Sequence, residues 1–186
     1  MKVAVVFLAS LVLAGCRKAE PLPVFGEVAP FTLTAQTGQP FESSSLKGHL
    51  WVADFIYTTC RGPCPRMSTL MSQLNRGTAG QPDLMLVTFT VDPEHDTPEV
   101  LADYAKRYNA DAARWHFLTG AREDLHKISR DSFKVGNVDG SLNHSTRLVL
   151  VDRQGRIRRY YGIEEGSPVG RILEDIQTLR KETPNS

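Results

Sequence analysis

Phe55-Ile-Tyr-Thr-Thr-Cys60-Arg-Gly-Pro-Cys64-Pro65-Arg-Met-Ser68 is the stretch on which the fold turns, because an apolar run ends there in two cysteines. Leu50 to Tyr57 is aromatic and β-branched with only Asp54 breaking it, which predicts a buried strand. From Met67, apolar side chains at 67, 70, 71 and 74 have helical spacing and predict a helix to about Asn75. The turn between these elements carries the cysteines. Pro65 suits the first helical position, where its missing N–H costs nothing, so Cys64 is expected at the helix mouth. The unpaired N–H groups and dipole there, with Arg61 or Arg66 close in sequence, predict a thiolate at Cys64.

Three readings of the pair stand at this point. Two inert structural thiols are the plain one, although buried cysteines rarely fall four apart on a Gly-Pro loop at a helix start. A redox dithiol is the second, with three intervening residues where the usual motif has two. A soft-metal site is the third, since thiolates select Cu(I) or zinc, but two ligands seldom suffice and a third is needed.

The flanking elements alternate. Phe31 to Thr34, the Thr37-Gly-Gln-Pro turn and Phe41 suggest an N-terminal β-hairpin. Leu84 to Val91 reads as a second strand buried on both faces and is followed by Asp92-Pro93. Thr97-Pro98-Glu99 opens a helix through Tyr108, Trp115 to Leu118 is a short strand, and Glu123 to Phe133 a further helix. Leu148–Val151, the Asp152-Arg-Gln-Gly155 turn and Ile157–Tyr161 form a hairpin, and Val169–Lys181 closes the chain as a helix. This order predicts an α/β fold of thioredoxin-like type, a mixed central sheet flanked by helices, with the cysteines at the carboxyl end of a central strand. Thioredoxin-type oxidoreductases set a cis-proline across from the cysteines, yet no proline occurs between Pro98 and Pro168. Ser141-Leu-Asn-His144-Ser stands about where that proline belongs, which makes His144 the candidate third ligand. His49, His95, His116 and His126 lack such an argument, His95 least securely because it lies beside Asp92.

The first fifteen residues hold a short positive start and an apolar run, Val3 to Ala14, too short to span a bilayer, before Leu13-Ala-Gly-Cys16. This is read as a signal peptide (1–15) ending in a bacterial lipobox, with Cys16 the lipidated residue, 16–30 a tether and 31–183 the domain. The domain is thus expected to be exported and held to a bacterial membrane by lipid, facing the periplasm or cell exterior. A lipidated Cys16 also removes the odd cysteine from disulfide chemistry. Twenty-two basic against twenty-one acidic residues, without a basic stripe, give no reason to expect nucleic acid.

Four ordered segments resemble the Sco/SenC family of copper-binding assembly factors for cytochrome c oxidase: Cys60-Arg-Gly-Pro-Cys64-Pro65, Val91-Asp-Pro-Glu-His-Asp-Thr-Pro98, Trp115-His-Phe-Leu-Thr-Gly120 and His144-Ser. The resemblance implies a metallochaperone for the oxidase copper centre. Its copper, as Cu(I) or Cu(II), is held by Cys60, Cys64 and His144, with Asp92 as a nearby acidic residue. The implied partners are the oxidase copper-centre subunit and an upstream copper donor. Arg61 replaces the proline that commonly follows the first cysteine, and Asn143 the aspartate that commonly precedes the histidine. The alternative is a thiol–disulfide oxidoreductase that reduces the oxidase subunit's cysteines through a redox-active Cys60–Cys64 pair; a peroxidase of the same fold is the weaker third, since the usual Pro-x-x-x-Thr-x-x-Cys pattern is missing at Cys60.

Overall fold

The computed structural model describes residues 21–136, 145–164 and 166–182. His144 and Cys16 lie outside the described residues. Eight strands make one mixed sheet: β1 (Gly26–Glu27), β2 (Thr32–Ala35), β3 (Pro40–Glu42), β4 (Leu50–Ile56), β5 (Leu84–Thr90), β6 (Trp115–Thr119), β7 (Arg147–Val151) and β8 (Arg156–Gly162), in the spatial order β1-β8-β7-β4-β5-β6-β2-β3. β4, β5 and β6 run parallel, with Leu50 opposite Leu84 and Leu86 opposite Trp115, while the outer pairs are antiparallel. Among the described residues, four α-helices complete the thioredoxin-like frame: α1 (Cys64–Gly77), α2 (Pro98–Arg107), α3 (Arg122–His126) and α4 (Val169–Lys181). No helix of the described residues is long and apolar enough to cross a membrane.

The strand period of two divides the core between the sheet's faces. Leu50, Val52 and Ile56 of β4 pack with Met67, Leu70, Met71 and Leu74 of α1, Leu101 and Tyr104 of α2, and Ile172 and Ile176 of α4. Trp51, Ala53 and Phe55 turn to the other face, among Phe31, Phe41, Phe89, Leu125 and Phe133. All seven residues of β4 are buried, because β7 and β5 cover its edges and helices or loops cover its faces. Asp54 shares the α1 face by parity, and that makes it an anomaly to be explained at the site.

Two boundaries differ from expectation. The helix read over 123–133 is α-helical only to His126 and widens into a π-helical turn over Lys127–Ser132. The bond from Phe133 N to Ile128 O, 3.0 Å, spans five residues, and Phe133 packs edge-on against Trp51 and Phe55, which rewards the wider turn with aromatic burial. The segment 16–30 is also not a free tether over its second half. Leu22 is buried, its N–H donates to Glu182 Oε1 at 3.0 Å, and β1 adds to the sheet through β8. The cause is Arg158, whose guanidinium takes Leu22 O and Pro23 O as acceptors while paired with Asp152 and Glu182. Leu22 to Glu27 are therefore packed onto the sheet along with the residues from 31 onward.

Candidate functional site

The cysteine turn leaves β4 at its carboxyl end. Cys60 N–H bonds Tyr57 O at 3.2 Å, and α1 then starts at Cys64 with Pro63 as its N-cap residue. Both cysteines are free thiols, Cys60 7% and Cys64 0% exposed. Burial opposes ionisation of Cys60, but hydrogen bonds from the Cys64 thiol and N–H, the Gly62 N–H (3.4 Å) and the Tyr57 hydroxyl outweigh it, and its pKa lies below the ordinary thiol value. Cys64 goes the other way. Burial pushes its thiol well above the ordinary range, its proton is donated to Cys60, and the charges of Cys60 and Asp54 add to the shift.

This corrects the expectation of a thiolate at Cys64. The helix mouth does not decide the matter because desolvation of a fully buried sulfur exceeds a dipole effect of about 1 kcal/mol. Neither arginine relieves it: Arg61 and Arg66 are exposed, and Arg66 turns to Gly166 O at 3.4 Å. The activated sulfur is Cys60.

Asp92 follows β5 and is half-buried. Its N–H is held by Thr90 Oγ1 at 2.9 Å, and its charge acts on Tyr57, whose hydroxyl pKa is raised first by the bond to Cys60 and then by burial and by the charges of Cys60, Cys64 and Asp92. The charges of Cys60, Cys64 and Asp92 thus all act on Tyr57. Among the described residues no three His, Cys, Asp or Glu side chains form a metal-holding group.

Two acidic residues that sequence reasoning did not assign to the site support it. Asp96 is fully buried and accepts from Thr58 N (3.1 Å), Thr58 Oγ1 (2.5 Å) and Thr90 Oγ1 (2.5 Å), which ties the loop after β5 to the residue two before Cys60. Its signal in sequence was its place before the Thr97 helix cap, within the Val91–Pro98 segment that carries the family resemblance. Asp54 stood out as the polar break in β4, and it accepts from Thr88 Oγ1 at 2.6 Å, while Trp115 Nε1 donates to the same hydroxyl at 2.9 Å. Its Oδ2 has no partner, and burial raises its pKa from an ordinary 3.8 to about 7.

A thioredoxin-like sheet that carries an activated thiol and a buried thiol at the carboxyl end of its central strand defines a class of proteins that do dithiol or thiolate–metal chemistry. Residues 22–181 match the SCO1/SenC family model, and the chain belongs to that family. Among solved structures it is similar to a SCO1/SenC family lipoprotein from Bacillus anthracis, with 33% identity, TM-score 0.77, and coverage of 84% of this chain and 96% of that one. It is also similar to BsSco, described as a member of the Sco family of cytochrome c oxidase assembly proteins with a disulfide switch (30%, TM-score 0.76, 88% and 100%). A third likeness is to Bradyrhizobium japonicum ScoI with copper bound (26%, TM-score 0.68, 82% and 99%).

Proposed function

We propose that this protein binds copper and serves the maturation of the cytochrome c oxidase copper centre, holding the ion through Cys60, Cys64 and His144 with Asp92 beside them. The observation that carries the reading is the pair of free thiols at α1, joined by a hydrogen bond from Cys64 to Cys60 and screened from water. Two close sulfurs in an apolar setting suit a soft ion, and an imidazole would complete a three-coordinate Cu(I) set. The copper-bound relative and the family's oxidase-assembly member support the same reading. Cys16 as a lipid anchor, after a signal at 1–15, gives an exported domain on a bacterial membrane, in keeping with the lipoprotein relative. Asp92 tunes charge near the thiols: Asp92→Asn keeps Cu(I) stoichiometry and changes the potential or transfer rate.

The second reading, a thiol–disulfide reductase acting on the oxidase subunit's cysteines, is favoured by the thiol asymmetry. A lowered pKa at Cys60 suits attack, and a buried Cys64 suits closing the disulfide afterwards. His144→Ala separates the two. For a copper chaperone, the variant loses about 10- to 100-fold or more in copper affinity and fails to assemble the oxidase in cells at limiting copper, with rescue by added copper. Normal assembly by a variant that no longer holds copper rejects the chaperone in favour of the reductase.

A further inference from the structure

The loop between β5 and α2 holds a histidine that the three-ligand reading leaves unused. His95 has about half of its side chain in solvent, yet its Nδ1 lies 3.2 Å from Oδ1 of the fully buried Asp96. Its backbone is fixed as well, with His95 N–H on Asp92 O at 3.2 Å and His95 O accepting from Thr97 N–H at 2.9 Å. Glu94, the neighbouring acid, is turned to Arg122 at 2.6 Å.

A surface histidine that merely satisfies a buried acid would be the plain explanation. Asp96 does not need it. Thr58 N–H, the Thr58 hydroxyl and the Thr90 hydroxyl already occupy its oxygens, and the Thr58 hydroxyl shares Oδ1 with the imidazole. Surrounded by donors, the carboxyl acts as acceptor, which makes Nδ1 the nitrogen that faces it and leaves Nε2 as the one available to a ligand. A carboxylate behind Nδ1 fixes the orientation of the ring, which is how metal-ligating histidines are supported. The same Asp96 oxygen holds the residue two ahead of Cys60, and Asp92 on the same loop acts on Tyr57, which donates to Cys60.

We propose that His95 is an accessory metal ligand at the rim of the site, which takes an arriving Cu(I) on Nε2 and yields it to the Cys60 sulfur. The proposal rests on the copper reading above and adds an entry step to it. No electron moves: the ion remains Cu(I), the imidazole is released unchanged when the ion passes on, and the thiol proton displaced at the cysteines goes to solvent. The contribution is to rate rather than to final affinity, because the resting site does not include the imidazole.

The test uses full-length protein, reduced and purified in detergent, with His95→Gln as the variant, since glutamine retains an N–H donor for Asp96. Cu(I) presented as its bicinchoninate complex is expected to load the wild type at one ion per chain and the variant to the same stoichiometry about tenfold more slowly, at the low end of the 10–100-fold effects seen for supporting groups at metal sites. Histidine-selective 15N NMR with Ag(I), a Cu(I) mimic, in a Cys60→Ser, Cys64→Ser background that cannot pass the ion onward, is expected to move the His95 Nε2 resonance, assigned by its loss when His95→Gln is added. Equal loading rates overturn the proposal. So does a slower rate with an unmoved Nε2 resonance, which would make His95 a brace for Asp96. Failure of the wild type to take up one equivalent of Cu(I) defeats the copper function itself, and is distinct from normal uptake at an unchanged rate.

Discussion

The Tyr57 hydroxyl donates to Cys60 Sγ, so the last residue of the apolar run and the first cysteine act as one unit three residues apart. The bond stabilises the thiolate and raises the tyrosine's own pKa. Tyr57→Phe should therefore raise the Cys60 pKa. A hydrogen bond to a charged group is worth about 1.5 kcal/mol, so alkylation of the metal-free reduced protein at neutral pH should slow by roughly tenfold. An unchanged alkylation rate contradicts the assignment.

The two thiols should separate cleanly in reactivity. Cys60 is shifted toward the thiolate and retains some exposure, while Cys64 is enclosed and held as a thiol. Mass spectrometry after brief iodoacetamide treatment near pH 7 should find one label, on Cys60. Preferential labelling of Cys64 would restore the helix-mouth thiolate that the structure argues against.

Asp54 should make the fold pH-dependent. Its pKa is about 7 in the folded chain against an ordinary 3.8, so the folded state binds its proton more tightly than the unfolded state does. Its contribution is full below about pH 4 and is lost as pH rises through about 7, a decline of about 4 kcal/mol at most. Asp54→Asn should abolish that decline, seen in urea midpoints measured from pH 4 to 8. Parallel curves for wild type and variant would mean that Asp54 is ionised throughout, or is hydrated.

Asp96 should hold the cysteine turn in place. In Asp96→Asn an amide replaces one oxygen among donors from Thr58 and Thr90, leaving buried polar groups mismatched. The expected cost is about 2–3 kcal/mol, read from denaturant midpoints, with Cys64 becoming open to alkylation as the turn loosens. A stable variant with Cys64 still protected would reduce Asp96 to an ordinary loop residue.

Arg158 should clasp the N-terminal strand. Its side chain is 3% exposed and joins Asp152, Glu182 and the carbonyls of Leu22 and Pro23. Arg158→Met leaves Glu182 without its cation and the Leu22 and Pro23 carbonyls without their donor, while Asp152 keeps Arg156, at a cost of about 3 kcal/mol, and should expose residues 21–30 to limited proteolysis. Resistance equal to wild type would show that β1 pairing and Leu22 burial suffice.

The alternation of strands and helices, both hairpins, the Thr97 cap and the cysteine turn were legible in the chain, because each is a local pattern. A period of two or 3.6, a Pro at a helix start or an Asp-x-x-Gly turn declares itself within a few residues. Thr97 accepts from Val100 N–H and Asp152 Oδ1 from Gln154 and Arg156 N–H, bonds that close over two to four residues. The cysteine pair and Asp92 were visible for the same reason. What the folded structure alone decided depends on groups far apart in sequence. Which sulfur ionises follows from burial under the α1 core and from a tyrosine hydroxyl, not from the helix end. Asp54 and Asp96 differ in what surrounds them: one has an oxygen without a donor, the other is ringed by Thr58 and Thr90. The stretch from Leu22 to Glu27 looked like linker because its partners, Arg158 and Glu182, stand more than 130 residues along the chain. Sequence fixes which groups exist and their local geometry; desolvation and long-range hydrogen bonds, which set their charge and their role, arise only when distant segments exclude water from one another.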